Sequence, residues 1–188
     1  MPIGLTTVVV SPSFVDLLYN PRYAPSAQVL EVFGVVTILT CQTILIGRFA
    51  VATERVKFWA VLMVVAILIS IPLDIVLVPW ADDRYGNGAV AGALVYVVTE
   101  SIILTFGMMR IAPYLFNART LGRVVRCVIA GGAALAASWW IRDEFFLISG
   151  ALSFATFAVT IVILRTFNDD ERRLIERVRY AAGAKLGR

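Results

Sequence analysis

The chain has 188 residues, of which 60% are apolar and 16% charged, with a mean hydropathy of +0.84 and a net charge of +4. Soluble domains run at about 45–50% apolar and about 25% charged, so this balance excludes a water-soluble enzyme, a nucleic-acid binder and a disordered tail. Histidine is absent, and the two cysteines, Cys41 and Cys127, lie inside apolar runs. The commonest metal ligand, the usual general base and any cysteine framework are therefore missing, and neither a metal nor a cofactor is expected.

A bilayer core about 30 Å thick is crossed by about 20 apolar residues of helix. Residues 2–19 are apolar but short, contain Pro12 and carry Asp16 near their end, which predicts a short first helix. Five full-length spans follow: 27–47 with one charge, Glu31; 58–81 with Asp74; 85–109 with Glu100; 124–141 with Arg126 near its start; and 145–164 with none. Prolines inside a span, such as Pro72, are tolerated when neighbouring helices re-satisfy the freed carbonyl. The expected fold is all-α: a polytopic transmembrane bundle of about six helices over residues 1–166, with a basic cytoplasmic tail over 167–188.

Within that tail, Asn168 and Glu171 form a capping-box pattern. Leu174, Ile175, Val178 and Ala181 recur at helical spacing among Arg172, Arg173, Arg177 and Arg179, which predicts a basic amphipathic helix on an anionic leaflet. A solvated helical tail is the alternative.

Alternating the loops sorts the charge. One side collects Arg48, Arg55, Lys57, Arg110, Arg119, Arg123 and Arg126, together with the seven basic residues from Arg165 onward. The other side holds Arg22, Arg84 and Arg142 alone. The positive-inside rule then places the basic side, and the C-terminus, in the cytoplasm. Trp59, Trp80, Trp139 and Trp140 all fall at span ends, where an amphipathic ring sits best.

An ionisable residue near the bilayer centre costs at least about 2.5 kcal/mol and marks a functional hypothesis by default. Glu100 is the deepest, Asp74 lies in the outer half of its span, and Glu31 is one turn from an outer end. Arg48 closes its helix at the cytoplasmic face and snorkels. Gln42, Thr43, Thr99 and Ser101 could join a cavity wall with these acids. The competing reading makes Asp74 and Glu100 structural glue between helices. Gly88, Gly92, Ala89 and Ala93 place small residues four apart and predict a close helix crossing. Gly131, Gly132 and the alanines that follow predict a second tightly packed face.

In order, four passages resemble the C-terminal part of polysaccharide-biosynthesis flippases, exporters of O-antigen and lipid-linked oligosaccharide in the MATE-like multidrug/oligosaccharidyl-lipid/polysaccharide superfamily. They are LLYNPRYAPSAQVLEVFG (17–34), ATERVKFW (52–59), IPLDIVLVPWADDRYGNGAVAGALVYVVTE (71–100), and the final helix pair with its acidic-then-basic tail. The second is similar to the family's A-x-G-R/K turn, with Glu54 where glycine is usual. In the third, Pro79, Tyr85, Gly86 and Ala93 keep the pattern and Asp74 replaces an asparagine.

The resemblance implies one lobe of a two-lobed flippase in the plasma (inner) membrane, moving a lipid-linked sugar through a central cavity by alternating access. It also implies membrane lipids, the sugar substrate and a missing N-terminal lobe or second chain as partners, with no nucleic acid. The rival expectation is a non-transporting scaffold that anchors partners through the basic tail. A membrane-embedded enzyme is disfavoured, because the longest loop between helices, 110–123, carries no acid.

Overall fold

The computed structural model describes residues 1–19, 21–115, 117–139 and 146–164. The predicted tail helix, Trp140 and Arg142 lie outside the described residues. Among the described residues six α-helices make up the fold: α1 (Pro2–Leu18), α2 (Pro25–Ala52), α3 (Val56–Tyr85), α4 (Gly88–Ile111), α5 (Ala118–Trp139) and α6 (Phe146–Ile163). No strand occurs among the described residues. Among the described residues four stretches, Pro25–Ala52, Val56–Tyr85, Gly88–Ile111 and Thr120–Trp139, are long and apolar enough to cross a membrane, and the chain is a membrane protein. With 17 and 18 residues, α1 and α6 are shorter.

Helix ends differ from the apolar spans for an identifiable reason: backbone bonding continues past the hydrocarbon boundary, whereas apolar composition stops there. Thus α2 and α3 begin and end outside 27–47 and 58–81, and α5 starts at Ala118 rather than at Val124. The fourth span is corrected at its start. Tyr85 is the last residue of α3, Gly86 breaks the helix with φ 68°, and α4 opens at Gly88. That left-handed conformation costs glycine little, and its N–H bonds the Asp82 carbonyl at 2.8 Å. Pro72 and Pro79 are both carried inside α3.

In space the helices form a chain rather than a closed ring. Helix α4 packs between α2 and α3, α1 packs between α2 and α6, and α5 packs mainly on α6. Two triplets result, α2–α4–α3 and α1–α6–α5, joined chiefly along α1 and α2. The joint is a backbone-to-backbone crossing. A Cβ on Gly4 would lie 2.3 Å from the Gly34 carbonyl oxygen, and one on Gly34 would lie 2.6 Å from that of Gly4.

Inside the first triplet, the crossing expected at the start of α4 is present at Gly88, whose added Cβ would meet the Val78 carbonyl at 2.7 Å. Gly92 is looser, with Val78 at 3.6 Å. Toward the opposite end, Trp59 fills the space between Gly47 and Gly107 and packs on two apolar clusters, Ile46–Ala50–Ile111 and Leu62–Ala66–Ile103. Of the second expected small-residue face, Gly131 rests on Leu5 while Gly132 meets open space.

Candidate functional site

Three polar ties fix the register of the α2–α4–α3 triplet at the end away from Arg48. The Asn87 side-chain amide donates to the Pro25 carbonyl at 3.1 Å and to Gln28 Oε1 at 3.3 Å. Asp82 Oδ1 accepts the Gly88 N–H at 3.2 Å, which satisfies one orphan donor at the start of α4. Helices α2 and α4 run parallel: Gln28 pairs with Asn87, Phe33 with Tyr96 and Ile46 with Gly107, partners 59 to 63 positions apart. Helix α3 is antiparallel to α4, since Val78 meets Gly88 and Gly92 while Leu62 packs with Ile103.

That register sets the level of Glu100, the thirteenth of the 24 residues of α4. It is 5% exposed, and its Oε2 is buried with no hydrogen-bond partner among the described residues. The α2–α4 offset puts Thr40 at the same level, and Thr40 Oγ1 is likewise buried and unpartnered. This is unusual in the triplet, where the hydroxyls of Thr37, Thr43, Thr99, Ser101 and Thr105 are each bonded to a carbonyl four residues back. On α3, Ser70 lies within about one turn of the Glu100 level and donates to Asp74 Oδ2 at 3.1 Å. Asp74 itself sits one turn beyond Ser70, about 6 Å farther along the axis at 1.5 Å per residue. The basic residues of α2, α3 and α4 lie toward the helix ends, and Arg110 is about 15 Å from the level of Glu100 by the same rise.

A mid-helix polar layer therefore crosses the triplet: Thr40 on α2, Glu100 on α4, and the Ser70–Asp74 pair on α3. The other predicted residues do not join it. Gln42 is exposed, because it follows the unpartnered Thr40 by two residues and so turns away from α4. Glu31 is half-buried near the start of α2, Arg48 is exposed near its end, and the hydroxyl of Thr99 is taken by the Val95 carbonyl at 2.8 Å. Glu100 is enclosed by packed helices rather than set on an open wall. Sequence reasoning missed Thr40 and Ser70, and no spacing signal marks either: what sets them apart is the pairing across helices. It also missed the fully buried Ser138, Ser149 and Ser153 on α5 and α6.

Two of the cavities touch polar side chains away from the basic end. One, of about 430 Å³, is bounded by α1, α2 and α6, but its Thr6, Thr7 and Ser11 hydroxyls are all donated to carbonyls of α1. Another, of about 530 Å³, lies at the Asn87 end between Gln28, Trp80 and Tyr85, the two rings meeting edge-on at 5.8 Å. Among the described residues no group of three or more metal-ligating side chains occurs. No protein-family model, curated protein or solved structure matches this chain.

Proposed function

We propose that the chain is one lobe of a membrane flippase that carries a lipid-linked oligosaccharide or polysaccharide precursor across the plasma membrane by alternating access. The observation that carries the reading is the buried, unpartnered carboxyl of Glu100 at the middle of a spanning helix. Such a group is costly in hydrocarbon and is kept where a substrate, an ion or a proton engages it. The Ser70–Asp74 pair and the Thr40 hydroxyl extend the same layer on the flanking helices. Alternating access works by rocking one packed unit against another, and the α2–α4–α3 triplet is such a unit. Glu54 adds support. Its φ is 59°, a conformation that favours glycine, at the position where the resembling turn carries glycine. In this reading a second lobe or chain completes the cavity and the basic end faces the cytoplasm.

The test is Glu100→Gln in the full native reading frame, with export of surface polysaccharide as the readout and membrane abundance as the control. Export falls about tenfold or more, the scale of losing one charge-dependent contact, while abundance holds. Unchanged export removes Glu100 from the pathway. One observation favours the scaffold alternative: Glu100 is enclosed by packed helices, as structural glue would be. In a scaffold, Glu100→Gln alters stability and leaves export intact.

A further inference from the structure

At the end of the α2–α4–α3 triplet opposite Asn87, the short turn between α2 and α3 reaches across to the end of α4. Arg55 Nη1 donates to the Arg110 carbonyl, one of the last carbonyls of α4. The bond satisfies an orphan acceptor and complements the negative end of the helix dipole. It also brings Arg55 and Arg110 together at one cavity of about 450 Å³, which among the described residues is lined by these two arginines and Phe58. Among the described residues no carboxylate lines this cavity and neither arginine is ion-paired. Arg48 and Lys57, exposed near the same end, add to the positive field.

Two like charges at one cavity repel unless an anion lies between them. Arg55 spends one of its five N–H donors on the carbonyl, so its remaining donors and those of Arg110 can form the forked bonds that fit a phosphate. The cavity sits at the apolar–polar boundary. Just inside it along the helix axes lies Trp59, wedged against Gly107, and the Phe49–Tyr114 edge-on pair at 6.0 Å stands at the same end of the triplet. On the same helices Met109 is exposed beside Arg110 and, farther in, Val61 and Phe106 are exposed. A phosphate carrying acyl chains would find both halves of its complement there, whereas a free phosphate would use the charged half alone. Basic pockets between spanning helices recognise lipid headgroups on this chemistry.

We propose that the Arg55–Phe58–Arg110 cavity binds the phosphate of an anionic phospholipid headgroup, with the acyl chains lying on α3 and α4. The site is independent of Glu100 and of any transported substrate. Its test is native mass spectrometry of the full chain released from micelles doped with phosphatidylglycerol or phosphatidylcholine. The wild-type chain retains phosphatidylglycerol about tenfold better than phosphatidylcholine, the scale of one charge-assisted contact.

Arg110→Gln abolishes that preference. It leaves the Arg55 bond in place, because that bond uses the Arg110 backbone. Arg84→Gln, the same charge change at the other end of α3, leaves the preference intact. The proposal is overturned by equal retention of the two lipids in the wild type, by an unchanged preference in Arg110→Gln, or by displacement of the lipid with inorganic phosphate. The wild-type comparison needs no variant and so holds whether or not Arg110→Gln folds.

Discussion

Gly34→Ala should weaken the joint between the two halves of the bundle. The added Cβ would lie 2.6 Å from the Gly4 carbonyl oxygen and 2.5 Å from Val8 Cγ2, against the 3.4 Å at which ordinary contact begins. Backbone cannot swing away as a side chain can, so α1 and α2 must separate by about 0.8 Å along their crossing. Overpacking of this kind costs about 1–3 kcal/mol, and the better helix propensity of alanine returns about 1 kcal/mol. The net loss of up to about 2 kcal/mol lowers Tm by up to about 8 °C for a chain of this length. Thermal unfolding in detergent, followed by tryptophan fluorescence, measures it. Gly132→Ala is the internal control: nothing lies within 4 Å of its added Cβ, so it leaves Tm unchanged or raises it slightly. A Gly34→Ala Tm equal to or above that of Gly132→Ala would refute the crossing as drawn.

Other expectations follow from the same packing. Glu54→Gly should raise stability by about 1 kcal/mol, because the exposed Glu54 holds φ 59° and glycine adopts that conformation without steric cost; a lower Tm would contradict it. Trp59→Ala should lose about 3–5 kcal/mol and is best read as a fall in folded yield, since one indole fills the gap beside Gly47 and Gly107 and joins two clusters. Cys41, exposed in the middle of α2, should face lipid and resist a water-soluble maleimide until the protein is denatured; rapid labelling in the native state would place it in water. For orientation, Lys57→Cys in intact cells should escape an impermeant maleimide and Arg84→Cys should react, the reverse pattern inverting the topology.

Much of this architecture is legible in composition. Runs of about 20 apolar residues leave helix as the available spanning solution, because unsatisfied backbone groups are too costly in hydrocarbon. The close crossing at Gly88 also carries a local signal, small residues four apart, whereas the helix break at Gly86 falls inside the apolar run 85–109 and shows only in the backbone. Gly4 and Gly34 carry none. Val8 and Ile38, four residues farther on, are bulky, and neither glycine stands out until α1 is laid across α2.

The same division holds for the polar residues. Sequence alone marks Glu100 and Asp74 as costly, since a charge-bearing group inside an apolar run needs no partner to be noticed. Thr40 and Gln42, two positions apart on one helix, have opposite fates, one unpartnered beside α4 and the other exposed. The pairing of Arg55 with the end of α4 spans 55 positions of chain. Apolar content, helix count and the depth of each acid are properties of the chain read along its length, and the sequence determines them. Which face of a helix is covered, which hydroxyl is left over and which two arginines share a cavity depend on the rotation and register of helices against one another. Those are set by the packing of residues far apart in sequence, and tertiary structure alone decides them.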